Sequence, residues 1–471
     1  MGFAGLAMGA MLHRDGIVRA NEVGIHPPWT PGQAQIAPKA KSVIWLFMLG
    51  GTSHVESFDP KPELNKYAGK TIDETPHKHV VDNPLVRKNV REFTPNRKIM
   101  STIFPMQVGY RKWGQSGTEV SDWFPHVGSI VDDISIVRSM WVTDNDHAAQ
   151  YEFNTGHHVF DGSHPSLGAW AHYGLGSLND NLPQFIALGS PPGQCCGGRG
   201  AQSGSYLGPE HDAVQINVDP KNPLPYAAPG SEVYEEEQQA EFSLLKDLNG
   251  LAARQYPRDS SLRARIKAYE LAFRMQTSVP DVFRFQDETP STAKLYGLDN
   301  PVTKPFGELC LTARRLVERG VRFVQVYHGD GMNSQWDAHS NLLENHGKLA
   351  PQVDQPMAAL VKDLKQRGLL DDTIVVWGTE FGRTPGAERS NGRDHHPYGF
   401  SIWAAGGGIK PGVVHGATDE LGFHAVEHRH YVTDLHATVL HQLGLDSRRL
   451  EIPGRKRLEK DYGNVIKEII A

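Results

Sequence analysis

Continuous apolar runs recur along the chain, and each run predicts a strand that is buried on both faces of a sheet. The clearest example, "SVIWLFMLGG", ends in two glycines, and "TIVVW" ends just before a glutamate. These runs occupy residues 42–51, 134–142, 182–189, 321–327, 373–377 and 400–407.

Stretches with apolar residues at helical spacing separate these runs. Residues 306–320 form an amphipathic pattern closed by a glycine, and residues 352–372 and 431–445 show similar spacing. Strands that alternate with helices predict an α/β fold in three layers, with a largely parallel central sheet and helices on both faces. We expect a single domain over residues 41–471, with a loop and helical insertion near 190–305.

The amino-acid composition limits which kinds of molecule the protein is expected to bind. The net charge of −6 gives no general attraction to nucleic acid or to anionic membranes, and the basic residues lie scattered, so no nucleic-acid partner is predicted. The 48 glycines and 31 prolines predict many loops, and the 23 histidines become informative only where they cluster. Three cysteines are too few for a disulfide framework, and we expect the adjacent pair Cys195 and Cys196 to be two free thiols, with a strained vicinal disulfide as the alternative.

The N-terminal segment predicts export. Residues 3–12 form a ten-residue run of apolar and small residues, which is too short to span a bilayer and resembles the hydrophobic region of an export signal. We therefore interpret residues 1–40 as an export-signal remnant and linker arm, with a start upstream that carries a twin-arginine pair. A periplasmic or secreted protein follows from this interpretation. A short buried helix is the alternative, and no other segment reaches membrane-span length.

Acidic residues and histidines follow four of the predicted strands. In parallel α/β sheets, ligands bind beyond the carboxyl ends of the strands, so these residues are expected to meet at one edge. Carboxylates with neutral imidazoles suit zinc, manganese or iron, and two neighbouring metals can clamp the oxygens of an ester. Solvated acidic loops with structural salt bridges are the alternative. The residues concerned are His54, Glu56, Asp59, Asp144, Asp146, His147, His157, His158, His328, Asp330, Asp337, His339, Glu380, Asp394, His395 and His396.

The segments "GGTSHVESFDPKP", "WDAHSN", "TEFGRTP", "GRDHHP" and "AAGGGIKPGVVHGATDE" resemble a bacterial family of unknown function, number 1501, over roughly residues 40–450. That family is grouped with the alkaline phosphatase-like hydrolases, which include sulfatases. The resemblance implies the alkaline phosphatase-like fold, a site with two metals bound by Asp and His, and an exported leader.

The resemblance also implies roles for particular residues. Glu380 stands where the superfamily has a metal-binding Asp, and Phe381 replaces the usual His or Asn. His395, or alternatively His396, matches a downstream His ligand, and Asp337 with His339 resembles an Asp/His pair. Gly50 and Gly51 replace the Asp that the first strand supplies, and His54, Glu56 or Asp59 would substitute for it.

The superfamily nucleophile has no clear counterpart. Counting back nine residues from Thr155 reaches Asp146, with His147 beside it, and neither is a Ser, Thr or Cys. Three outcomes stay open: attack by metal-activated water with Asp146 or His147 as general base, a role for Asp146 as ligand or nucleophile, or loss of catalysis. Arg383 is suited to grip a sulfate or phosphate. Lys61, Asp394 and His396 are further candidates for substrate binding.

These patterns together predict an exported metal-dependent hydrolase of sulfate or phosphate esters, including those of polysaccharides. One or two divalent ions, of zinc, manganese or calcium, are expected as cofactors. The substrate would be a sulfated or phosphorylated small molecule or glycan. The alternative is a non-catalytic envelope or carbohydrate-binding protein on a degenerate hydrolase fold.

Overall fold

A computed structural model describes residues 31–82, 99–218, 234–256, 269–275, 281–329, 335–450 and 462–471, with isolated positions between 256 and 269 and at 452. The apolar run predicted as an export signal lies outside these residues, as does Asp330. Among the described helices, none is both long and apolar enough to cross a bilayer. Cys196 is disulfide-bonded, which corrects the expected free thiol, whereas Cys310 is free and buried.

The strands form one large sheet and three short two-stranded pairs. Their bounds are β1 Ser42–Met48, β2 Tyr110–Trp113, β3 Thr118–Ser121, β4 Ile134–Trp141, β5 Phe185–Leu188, β6 Val214–Ile216, β7 Phe323–His328, β8 Thr373–Thr379, β9 Gly382–Glu388, β10 Gly392–His396, β11 Phe400–Ala405, β12 Val413–His415, β13 Ala417–Thr418, β14 Ala425–Glu427 and β15 His430–Tyr431.

The large sheet has the order β12–β4–β11–β8–β1–β7–β5–β6, with β15 also paired to β4. β1 is parallel to both its neighbours, β7 and β8, and the pairs of β5 with β6 and β7 are parallel as well. β11 runs antiparallel to both β4 and β8. The predicted α/β fold with a largely parallel sheet is therefore confirmed, with β11 as the exception among its central strands.

The helices cover both faces of this sheet. Their bounds are α1 Pro62–Lys66, α2 Pro125–Gly128, α3 Ala149–Thr155, α4 Leu167–Leu175, α5 Glu235–Gln255, α6 Pro290–Leu295, α7 Lys304–Glu318, α8 Leu342–Gln366 and α9 Val432–Gln442. α8 begins ten residues before the predicted start because Pro351 and Pro356 are accommodated inside it. The predicted insertion contributes β6 to the edge of the sheet and α5 outside it.

The side chains of β1 show that the sheet is buried on both faces. Its side chains alternate between the two sides, and each side joins a different hydrophobic cluster. Ile44, Leu46 and Met48 join one cluster, and Val43, Trp45 and Phe47 join the other. Leu311 of α7 and Leu360 of α8 belong to the first cluster, whereas Leu167 of α4 and Leu435 of α9 belong to the second. The sheet thus lies between two helical layers.

Candidate metal centre

The loops after several parallel strands meet at one edge of the sheet. β1 lies between β7 and β8 and is parallel to both, and β4 runs in the same direction because β11 lies antiparallel between β4 and β8. The carboxyl ends of these four strands therefore share one edge, where ligands bind in such sheets. His147 follows β4, Asp337 and His339 follow β7, and His395 lies on β10 beyond β8.

Asp337 stands at the centre of this group and contacts three imidazole rings. Its Oδ1 atom lies 3.0 Å from Nε2 of His339 and 3.1 Å from Nε2 of His395. Its Oδ2 atom lies 3.2 Å from Nε2 of His147. The Nε2 atoms of His339 and His395 are themselves 3.1 Å apart. These four residues, called the Asp337 cluster below, turn their ligand atoms toward one another.

Each ring of the Asp337 cluster is held at its other nitrogen by an acceptor. The acceptor is Glu380 Oε1 for His147 at 3.0 Å, the Asn145 carbonyl oxygen for His395 at 3.1 Å, and Glu388 Oε2 for His339. Because a carboxylate or a carbonyl only accepts, Nδ1 carries the hydrogen, and in the neutral ring Nε2 presents a lone pair. Metal-binding histidines are oriented in the same way.

The distances fit a bound divalent metal ion. Among the described residues, two groups of three ligand atoms lie within 4.8 Å of one another. The groups are His147, Asp337 and His395, and His339, Asp394 and His395. In a tetrahedral site with metal–ligand distances of about 2.0–2.1 Å, neighbouring ligand atoms lie about 3.3–3.4 Å apart, close to the contacts of the Asp337 cluster. Imidazole with carboxylate suits zinc, manganese or iron.

The electrostatics of the Asp337 cluster follow from burial and from Arg383. Burial alone would raise the pKa of Asp337, but the charge of Arg383 and the contacts with the three histidines hold it well below its usual range. Burial also opposes the charge on His147, yet hydrogen bonds to Asp337 and Glu380 outweigh it and raise its pKa to about 9. Burial lowers the pKa of His395 well below its usual value. The surroundings thus favour the neutral form of His395 and the cationic, doubly protonated form of His147.

Glu380 contacts the His147 ring from the protein interior, and its predicted role as a metal ligand stays a prediction. The residue is fully buried, and its Oε1 atom accepts from the Gly50 backbone N–H at 2.8 Å and from Gln150 Nε2 at 2.9 Å, besides contacting His147. Its Oε2 atom accepts from Thr379 Oγ1 at 3.1 Å. Both carboxylate oxygens are thus occupied by protein donors.

Arg383 contacts the Asp337 cluster from the protein interior, and its predicted grip on a sulfate or phosphate stays a prediction. Its side chain is fully buried. It donates to the carbonyl oxygens of Gly50, Gly51 and Arg393, and its Nη2 atom lies 2.7 Å from Asp337 Oδ1. A guanidinium with its donors used in this way fixes the orientation of Asp337.

Three other predicted site residues lie outside the Asp337 cluster. His54 Nε2 contacts the Gly422 carbonyl oxygen at 2.8 Å, Lys61 Nζ contacts Asp59 Oδ1 at 3.0 Å, and His396 Nε2 contacts the Phe423 carbonyl oxygen. The His54 and His396 contacts join segments far apart in sequence, whereas the Lys61 contact lies within one segment. The predicted metal role of His54 and the substrate roles of Lys61 and His396 therefore find no support in their contacts.

Asp394 and Asp146 lie beside the cluster. Asp394 Oδ1 accepts from the His395 backbone N–H at 2.8 Å and lies 3.6 Å from His339 Nδ1, so it belongs to the second ligand group. Asp146 Oδ1 accepts from the His147 backbone N–H at 2.7 Å, in the turn that leads into α3. Asp146 therefore contacts the backbone of His147, and its predicted catalytic role stays a prediction.

Phe381 forms an apolar wall where the superfamily pattern has a ligand. It is fully buried, and its ring centroid lies 4.4 Å from that of His395 and 5.6 Å from that of His147.

Two groups that contact the cluster were not predicted from the sequence, namely the Glu388 side chain and the carbonyl oxygen of Asn145. An "NG" pair follows Glu388 and is a hairpin signal, so it could have indicated the β9–β10 hairpin that carries this side chain.

Comparisons with known proteins place the chain in a family. The family model described as "Protein of unknown function (DUF1501)" matches residues 40–470. No curated protein matches the sequence.

Solved structures similar to the chain include Ps i-CgsB in complex with k-i-k-neocarrahexaose (9% identity, 87% of this chain and 74% of that chain, TM-score 0.37). They also include the PsFucS1 sulfatase from Pseudoalteromonas sp. (13% identity, 73% and 67%, TM-score 0.33). A third is the alkaline phosphatase from the Antarctic bacterium TAB5 (9% identity, 88% and 100%, TM-score 0.32). Similarity this distant carries no argument about activity.

Proposed function

This chain belongs to the family of proteins of unknown function DUF1501, and we propose that it is a metal-dependent hydrolase of sulfate or phosphate esters. The observation that carries the proposal is the Asp337 cluster, in which three rings held at Nδ1 turn Nε2 toward one carboxylate. The resemblance of the segments around these residues to alkaline phosphatase-like hydrolases supports the choice of ester.

The residues divide into ligands and supports. Asp337, His147, His339 and His395 would hold one or two divalent ions, with Asp394 beside the second position. A bound ion would supply a Lewis acid for the ester oxygens and lower the pKa of a water. The three rings would be oriented by Glu380, Glu388 and the Asn145 carbonyl oxygen. Arg383 would orient Asp337, and Phe381 would exclude water from the buried side of the site.

Asp146 is the proposed general base. It adjoins His147 in sequence and lies in the turn before α3, where the superfamily order places the nucleophile. An Asp146→Asn variant should keep its metal content and lose activity by about 10²–10⁴-fold, since general-base catalysis contributes that much. Loss of metal from this variant would instead make Asp146 part of the binding site.

The proposed substrates are sulfated or phosphorylated glycans and small molecules, and the proposed location is the periplasm or the exterior of the cell. The apolar run at residues 3–12 supports export. Fractionation of cells that express the gene with its native upstream sequence tests the location, and an exclusively cytoplasmic protein would contradict it.

The proposed activity is tested by a panel of aryl sulfate and aryl phosphate esters, with zinc, manganese or calcium added. Turnover that a chelator abolishes and the metal restores supports the proposal. The variants Asp337→Asn and His395→Ala should lose metal and turnover together. The matched control is His77→Ala, because His77 contacts Glu63 outside the Asp337 cluster. Turnover that persists in Asp337→Asn after chelation would contradict the proposal.

A second candidate function is binding of a sulfated or phosphorylated glycan without catalysis. The residue at the superfamily nucleophile position favours it, because Asp146 stands there in place of a Ser, Thr or Cys. A protein that holds its metal and binds an anionic oligosaccharide, yet is inert across the ester panel, would establish this function.

A further inference from the structure

A second group of histidines lies at the outer edge of the sheet. β12 and β15 both pair in parallel with β4, and His415 stands opposite Val137 while His430 stands opposite Met140. The two short strands thus lie end to end along β4, and their histidines are close to each other. His428 precedes β15 and is exposed. His415, His428 and His430 are called the His415 cluster below.

Two rings of the His415 cluster, those of His415 and His430, are close enough to share a ligand, and the ring of His428 lies beside them. Nε2 of His415 lies 2.9 Å from Nε2 of His430. The ring centroid of His415 lies 5.0 Å from that of His428 and 5.1 Å from that of His430. Two imidazole nitrogens that face each other at this distance share either a proton or a metal ion.

Acidic residues from two further segments complete the group. Asp434, in the first turn of α9, places Oδ2 2.9 Å from Nδ1 of His430 and accepts a hydrogen bond from it. With its hydrogen on Nδ1, the neutral His430 ring presents the lone pair of Nε2 to His415. Glu468, near the C-terminus, places Oε2 4.0 Å from Nε2 of His415. The Glu468 side chain is 53% exposed, so it can rotate closer without disturbing the core.

The backbone around the cluster is held in place by Ser139 of β4. Its hydroxyl donates to the carbonyl oxygen of His428 at 2.7 Å. Gly416, directly after His415, packs against the same residue: a Cβ at Gly416 would lie 1.9 Å from Ser139 Oγ. Both histidine-bearing segments therefore pack against the Ser139 side chain, which holds their backbones near each other.

We propose that the His415 cluster, with Glu468, is a second binding site for a divalent transition-metal ion, separate from the Asp337 cluster. Imidazole and carboxylate are ligands that zinc and its borderline neighbours prefer; His415 and His430 already face each other, and the exposed side chains of His428 and Glu468 would have to turn toward them to complete the set. A bound ion would tie the C-terminal segment, through Glu468, to the edge of the sheet at β12 and β15. The site stands independently of the proposed hydrolase function.

The test counts zinc ions on the full chain. Metal-free protein is loaded with Zn²⁺, desalted and measured by elemental analysis, as wild type and as the double variant His415→Ala/His430→Ala. The double variant should hold about one equivalent less and should keep its ester hydrolysis. His77→Ala/His79→Ala is the matched control, since these rings also lie near each other, at 6.4 Å between centroids. Equal zinc content in wild type and double variant would overturn the proposal.

His428→Ala provides a second test that does not depend on a buried residue. Because His428 is exposed, this variant should show an unchanged circular dichroism spectrum and an unchanged Tm without metal. The Kd for Zn²⁺ at the second site should rise at least tenfold, as measured by calorimetric titration. An unaltered Kd would overturn the proposal even if the double variant failed to fold.

Discussion

Each histidine of the Asp337 cluster has Nδ1 bound to an acceptor, and this contact decides what Nε2 can bind. The cluster residues Asp337, His339 and His395 were predictable, because acids and histidines that follow parallel strands meet at one edge. The sequence could not predict which of these residues would bind the metal and which would orient a ligand. That distinction depends on the contacts that the side chains of Glu380 and Arg383 make in the folded chain. Only folding brings Glu380 to the Gly50 backbone and Arg383 to Asp337.

Glu380→Gln should weaken metal binding about 10–100-fold without removing a ligand, as expected for a residue that orients a histidine ligand. The physical reason is the loss of the negative charge that holds Nδ1–H of His147. Competition with a chromophoric chelator measures the change. Glu420→Gln, at an exposed position, is the control. An unchanged affinity in Glu380→Gln would contradict the orienting role.

Metal affinity should rise with pH. The pKa of His147 is raised to about 9, so below pH 9 the metal-free ring carries a proton that a metal ion must displace. Affinity should therefore fall about tenfold for each pH unit below this value and level off above it. Calorimetric titration from pH 6 to pH 10 measures the slope, and His147→Gln should flatten it. A slope of zero in the wild type would show that His147 does not bind the metal.

At the scale of elements, continuous apolar runs identified the buried strands, because a strand covered on both faces needs no polar positions. The pattern did not predict the β9–β10 hairpin, because the residues of the hairpin are polar and it is stabilised by residues distant in sequence. Arg393 of β10 forms a fully buried ion pair with Glu56, which lies after β1. The antiparallel direction of β11 also depends on tertiary pairing, which no local pattern records.

Arg393→Met should lower the free energy of unfolding by about 3–5 kcal/mol, because it leaves Glu56 buried and unpaired. Denaturant unfolding followed by fluorescence measures the loss. Lys41→Met is the control: the Lys41–Asp372 pair is largely exposed and should contribute less than about 1 kcal/mol. Equal losses in the two variants would show that the buried pair does not fix the hairpin.

At the scale of the whole molecule, the central sheet brings segments far apart in sequence to one edge. The DUF1501 match over residues 40–470 agrees with the family resemblance of the sequence segments. The order of the strands places β4, β7 and β8 so that His147, Asp337 and His395 meet. A metal ion bound there would link three loops, so metal and global stability should be coupled.

Zinc should stabilise the folded chain. A ligand that binds only the folded state, at a free concentration 100-fold above Kd, adds about 2.7 kcal/mol to the free energy of unfolding. The Tm of the wild type should therefore rise with added Zn²⁺ and fall with chelator, as differential scanning calorimetry can measure. Asp337→Asn should lose most of this shift, whereas Asp371→Asn, at an exposed position, should keep it. A shift equal in all three proteins would place the stabilising metal elsewhere.

The most direct measurement is anomalous diffraction from crystals of the purified protein at the zinc and manganese absorption edges. A metal held by the Asp337 cluster predicts an anomalous peak about 2.0–2.2 Å from Nε2 of His395 and from a carboxylate oxygen of Asp337. Metal-loaded crystals with well-ordered His339, His395 and Asp337 but no peak between them would contradict the account.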